Sequence, residues 1–188
     1  MQGFLPLSIL VCAVEIVSAN VRVWGISDSD HFIKNMYVFF SMPLYFYIYY
    51  QLLPLTQKVA RIYRIVAYTV CAVFLFNLLF FQGLFHINIL SLVFQQFITI
   101  LLSCSLLFFL SVSEKYFVLW KEPRFWIAAG LLIFSLGTMV ILGLYQYIRM
   151  NHLTIRNRNL YSFVMPMLNV ILYSSYTYAF YLCRQKKN

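Results

Sequence analysis

Acidic residues are scarce in this chain, with five Asp and Glu against fourteen Lys and Arg in 188 residues. Glu15 is the one carboxylate inside any long hydrophobic run, so a pair of membrane aspartates working as acid and base is excluded. There is no H-E-x-x-H, and His31, His86 and His152 all lie in connections. A Ser in a membrane segment therefore has no His beside it to activate it. The six glycines never gather into a phosphate-cradling loop. Cys12, Cys71, Cys104 and Cys183 lie singly within apolar segments, without the short spacing of a disulfide framework or zinc site. Asp28-Ser29-Asp30-His31 offers metal-capable groups, but alone in a connection it reads as a solvated, helix-capping turn. The expectation is a non-enzyme with no cofactor and no metal.

Hydrophilic stretches long enough to fold by themselves are also missing, while hydrophobic residues make up 63% of the chain and charged ones 10%. With a mean hydropathy of +0.80, the composition belongs to a protein whose solvent is lipid. Six runs are long enough to cross about 30 Å of hydrocarbon as helices: Leu5–Val23, Met36–Leu53, Ile62–Phe81, Ile89–Val112, Phe125–Ile148 and Leu160–Cys183. They are apolar on all sides, without the alternation of a membrane β-barrel. Gly25, Pro54, Gln82-Gly83 and Pro123 punctuate them. The fold expected is an all-α polytopic transmembrane helix bundle of six spans, forming a single transmembrane domain over residues 1–188. A signalling output would have to come from another chain. Val17-Ser18-Ala19 also resembles a small-residue cleavage site, but Met1-Gln2-Gly3 lacks the Lys or Arg of a secretory leader, and a span is the reading adopted.

Basic residues in the connections set the orientation. With six spans the termini share a side with Lys58, Arg61, Arg64, Lys115, Lys121, Arg124, Arg184, Lys186 and Lys187. Arg22, Lys34, Arg149, Arg156 and Arg158 fall opposite. This bias places both termini in the cytoplasm. The net charge of +9 is split among connections rather than gathered on one face. It reads as topogenic and lipid-facing, with no nucleic-acid partner.

Polar residues at a shared depth in lipid find one another or line a water-filled space. Gln95, Thr99 and Ser103 recur every four residues, with Gln96 beside them, and Asn169, Tyr173 and Tyr176 make a second row. Ser8, Cys12, Glu15 and Arg22 make a third. Three such rows facing one another would form an outward-opening pocket with Glu15 at its floor, suited to a small polar ligand or a proton. Desolvation favours the neutral form of Glu15 there. The competing reading makes Glu15 a protonated packing residue bonded to a neighbouring helix, and the Gln and Asn residues interhelical glue. Pro43 and Pro166 are expected to kink their helices and free the carbonyls of Phe39 and Ser162. Gly130 and Gly137, seven apart, would admit a close helix neighbour. The fifteen Tyr and nineteen Phe gather near segment ends, as interfacial belts do.

The stretch Lys121-Glu122-Pro123-Arg124-Phe125-Trp126-Ile127-Ala128-Ala129-Gly130-Leu131-Leu132, with Phe81-Gln82-Gly83 and Leu168-Asn169-Val170-Ile171-Leu172-Tyr173-Ser174, resembles a group of small polytopic membrane proteins from Bacteroidota. Members carry a further N-terminal helix, so the first helix here would match their second. The resemblance implies a bacterial inner-membrane protein in a sensory or signalling setting, and no catalytic residues come with it.

Three functions are compatible with these features. The first is a sensor, transducer or regulatory subunit that binds a ligand in the outward pocket and contacts a protein partner or a second copy of itself. Its partner-facing basic connections would be Lys58, Arg61, Arg64, Lys115, Lys121 and Arg124. The second is a small proton- or cation-coupled transporter or oligomeric channel built on Glu15. The third is a membrane accessory of a larger complex such as a phage-defence system.

Overall fold

A computed structural model describes residues 31–77, 80, 89–112, 119–144, 154–155 and 158–185, together with helical positions 13, 17 and 20. Glu15, Lys115 and most of the first predicted span lie outside the described residues. Five helices are described: α1 His31–Leu52, α2 Gln57–Asn77, α3 Ile89–Val112, α4 Pro123–Gly143 and α5 Leu160–Gln185. A 3-10 turn, Leu119–Lys121, leads into α4. A minimal antiparallel ribbon pairs β1 Thr154–Ile155 with β2 Arg158–Asn159 immediately before α5.

Three of these helices, α2, α3 and α4, are long and apolar enough to cross a membrane. The other two have the length but differ in composition. α1 carries Tyr37, Tyr45, Tyr47, Tyr49 and Tyr50, and α5 carries five tyrosines with Ser162, Asn169, Ser174, Ser175 and Thr177 among them.

Helix boundaries match the apolar runs in one helix and depart from them in others. α3 coincides with its apolar run. α1 and α2 each begin five residues before theirs, because the polar residues within His31–Asn35 and Gln57–Arg61 lower the hydropathy without preventing helix. Lys58, Arg61 and Arg64 therefore stand in the first turns of α2 instead of in a connection, all exposed. Long basic side chains there keep their charge in water and lay their stems along the helix. α4 opens at Pro123, a residue whose missing N–H costs nothing in a first turn. It ends at Gly143, before the predicted Ile148, with Leu144 as C-cap donating its N–H to Val140. Pro43 and Pro166 lie inside continuous helices, each on an exposed side.

The chain divides into two compact units, Met1–Leu92 and Val93–Asn188. In the first, α1 buries Asn35, Val38, Met42, Tyr45, Tyr49 and Leu52, alternating steps of three and four that make one seam, with Ser41, Phe46 and Ile48 buried to either side of it. Tyr63 of α2 packs edge-on to Phe46 with centroids 5.7 Å apart and donates its hydroxyl to the Phe46 carbonyl at 2.8 Å. Otherwise α2 presents Ile62, Ile65, Val66, Tyr68, Val73 and Phe76 outward, a surface fit for lipid. At its far end Asn77 Nδ2 donates to Ser91 Oγ at 2.8 Å, tying α2 to the start of α3.

In the second unit α4 and α5 pack antiparallel. A Cβ on Gly130 would stand 2.6 Å from Ser175 Cβ, and one on Gly137 would stand 2.6 Å from Leu168 Cδ2. Both glycines are places where the partner helix already occupies the side-chain volume. The close neighbour expected from their spacing is α5. Trp126 and Tyr178 meet edge to face at 4.8 Å toward one end of the pair.

Candidate functional site

Buried polar side chains gather on two helices. On α3, Ser91, Gln95, Thr99 and Ser103 recur every four residues, and each is buried. The row shares its face with Ile98, Leu106 and Leu110. Thr99 Oγ1 donates to the Gln95 carbonyl at 3.0 Å. Gln96, next in sequence, is half-buried.

On α4 two seams lie about 100° apart by helical geometry. One runs through Ile127, Gly130, Gly137 and Ile141 and carries the glycines that admit α5. The other runs through Ala128, Leu131, Ser135, Thr138 and Leu142. Ser135 is 0% exposed and Thr138 4%, and neither hydroxyl has a hydrogen-bond partner. Among the described residues several other helical hydroxyls bond back to their own backbone. Thr69, Ser105, Ser111, Ser175 and Thr177 each donate to the carbonyl four residues earlier, and Ser41 to the one three earlier. That local bond is the easy way to satisfy a hydroxyl in an apolar setting. Ser135 and Thr138 do without it, at a cost of about 1–3 kcal/mol for each buried group left unbonded.

The polar row of α5 is turned differently. Leu168, Leu172 and Ala179 are buried, and Leu168, Leu172 and Ser175 are the residues met by the glycines of α4. Asn169, Tyr173 and Tyr176 are centred about 100° round the helix from that face. Asn169 and Tyr176 are half-buried, and Tyr173 is 37% exposed.

At the end of the pair where Trp126 meets Tyr178, Glu122 precedes α4 and is buried, with Oε1 3.6 Å from Arg124 Nε. Trp126 Nε1 donates to the Trp120 carbonyl at 2.8 Å, and Gln185 Nε2 to the Tyr181 hydroxyl at 2.8 Å. Among the described residues no group of three or more His, Cys, Asp or Glu is placed to hold a metal ion.

No family model, curated protein or solved structure matches this chain.

Sequence reasoning passed over Ser135 and Thr138, because a hydroxyl in an apolar run ordinarily closes onto its own helix and carries no signal. Ser91 was within reach: it lies one step of four before Gln95, on the same row. The inward turn of Glu122 had no signature beyond its place before Pro123.

Proposed function

We propose that this chain is a multi-pass membrane sensor or regulatory subunit, without catalytic output of its own, that takes up a small uncharged polar molecule at the buried polar faces of α3 and α4. The observation that carries this reading is the pair of buried hydroxyls, Ser135 and Thr138, whose hydrogen-bonding capacity is unspent. A buried polar atom without a partner is a standing cost, and a ligand able to donate and accept hydrogen bonds removes it. The ligand is uncharged because the described residues of α3 and of the Ser135–Thr138 seam carry no ionisable side chain except Cys104, which is exposed.

The reading includes six spans with both termini in the cytoplasm, three of the spans being the apolar helices α2, α3 and α4. The exposed basic turns at the start of α2 offer Lys58, Arg61 and Arg64 to an acidic partner or to a second copy of the chain. The likeness to small Bacteroidota proteins supports a bacterial inner membrane.

The test is thermal unfolding of the purified protein in nanodiscs against a panel of small alcohols, amides and sugars. A ligand at a hundred times its dissociation constant contributes about 2.7 kcal/mol, or about 5–10 °C for a chain of this size. The Ser135→Ala/Thr138→Val protein is expected to lose that shift while remaining folded. A panel in which every shift is the same in the variant sinks the reading. Proteoliposome flux separates it from transport: proton or cation movement by the wild type that Glu15→Gln abolishes makes the chain a transporter instead.

A further inference from the structure

The register of the α4–α5 pair fixes which charges share an end. Gly130 lies against Ser175, Gly137 against Leu168 and Trp126 against Tyr178. Residue numbers rise along one helix as they fall along the other, by the same interval of seven between the two glycine contacts. Arg124 lies in the first turn of α4 and Lys121 ends the 3-10 turn just before it, while Arg184 lies in the last turn of α5, so the antiparallel pairing puts all three at the same end. Three cations from separate parts of the sequence thus stand at one end of a single helix pair.

Their setting is that of a membrane interface. Trp120 is 64% exposed and Tyr181 56%, amphipathic rings of the kind that settle at headgroup level. The bond from Trp126 Nε1 holds the Trp120 backbone in place. Among the described residues the one carboxylate side chain is Glu122. It is buried and turned to Arg124, so it orients that guanidinium and presents no acid at the surface. Together the four charged side chains leave an excess of two positive charges beside exposed aromatic rings.

We propose that this end of the α4–α5 pair, through Lys121, Arg124 and Arg184, binds the phosphate of an anionic phospholipid, with Trp120 and Tyr181 against its glycerol and upper acyl chains. Arginine suits the planar, multi-oxygen phosphate and lysine supplies a point charge. Basic pockets between membrane helices are established places for such headgroups. A free inorganic phosphate would find the same cations but gain nothing from the rings.

The experiment is native mass spectrometry of the full chain released from detergent and titrated with dioleoylphosphatidylglycerol or dioleoylphosphatidylcholine. Lys121→Gln/Arg124→Gln/Arg184→Gln is set against Lys58→Gln/Arg61→Gln/Arg64→Gln, which removes as many charges from the first turns of α2. At about a fivefold effect per cation near a membrane surface, discounted for the pairing of Arg124, the first variant is expected to bind phosphatidylglycerol about thirtyfold more weakly. The second is expected to match wild type, and phosphatidylcholine binding is expected to be the same in all three. Should the triple variant fail to fold, Lys121→Gln and Arg184→Gln singly, both at exposed positions, are expected to weaken binding about fivefold each, on the same per-cation basis. The proposal is overturned if the α4–α5 variants retain phosphatidylglycerol within twofold of wild type, or if the α2 variant loses it equally. It is also overturned if millimolar inorganic phosphate displaces the lipid, because the occupant is then free phosphate.

Discussion

The two helix pairs of this molecule, α1–α2 in the first unit and α4–α5 in the second, meet by opposite means. α1 and α2 hold together with large side chains: the Tyr63 ring lies against Phe46 and Tyr50, and its hydroxyl reaches a backbone carbonyl. α4 and α5 meet by having almost nothing between them, with glycine on one helix and Ser175 or Leu168 on the other. Lipid tails are as apolar as leucine, so burying an apolar face does little to drive helices together in a bilayer. What remains is fit and hydrogen bonding. The first pair relies on a directional bond with an aromatic frame, the second on dispersion at close range.

The contrast is broken most severely at Gly130. A methyl group there meets Ser175 Cβ, which is anchored to its own backbone and has no way to swing aside. Gly130→Ala is expected to destabilise the protein by about 2–3 kcal/mol, the upper range for overpacking, seen as a lowered melting temperature in nanodiscs. Adding Ser175→Gly should recover most of that loss, and a double-mutant cycle measures the coupling. Purely additive losses would mean that the two positions are not in contact.

Next is Tyr63→Phe, which keeps the ring and deletes the hydroxyl. It should cost about 1 kcal/mol, the usual worth of one such bond in a membrane. A loss as large as that of Gly130→Ala would erase the distinction between the two pairs.

Gly137→Ala sharpens the comparison inside the second pair. Its added methyl meets the two methyls of Leu168, the far end of a side chain that has more freedom to shift than Ser175 Cβ. Less than about 1 kcal/mol is expected, as for a change that a side-chain rotation absorbs. The smallest effect has the opposite sign: Ser135→Ala removes a buried hydroxyl without a partner and should leave the ligand-free protein unchanged or more stable by up to about 1 kcal/mol. A clear loss of stability on that change would show that the hydroxyl already has a partner in the membrane.

Much of this was readable before the structure, and the exceptions have physical causes. Apolar runs located the cores of α1 to α5, because the length needed to cross hydrocarbon leaves few alternatives. Their beginnings were harder. Hydropathy falls at Gln57 and Lys58 although helical backbone geometry does not, so the first turns of α2 looked like connection. The spacing of Gln95, Thr99 and Ser103 revealed one face of α3 because steps of four stay on one side of a helix. The same rule applied to Asn169, Tyr173 and Tyr176 found a row centred away from the residues that the glycines of α4 meet. On α5 the tight seam went to Leu168, Leu172 and Ser175, residues whose claim rests on the glycines opposite and is invisible from α5 alone. Residues on two helices must be read together to find such a seam, and a single sequence offers them only one at a time.

The matched intervals along α4 and α5 also limit how this chain can change length. One residue inserted between Gly130 and Gly137 would turn everything beyond it by about 100° and advance it by about 1.5 Å. Gly137 would leave the seam and a larger neighbour would face Leu168. Seven inserted residues, by contrast, would return the face nearly to its starting angle while advancing it by about 10.5 Å, so the residue then opposite Leu168 would be an inserted one and would itself have to be small. Substitution in this stretch is graded by size, whereas insertion or deletion works as a count that keeps the facing angle at whole repeats and loses it between them.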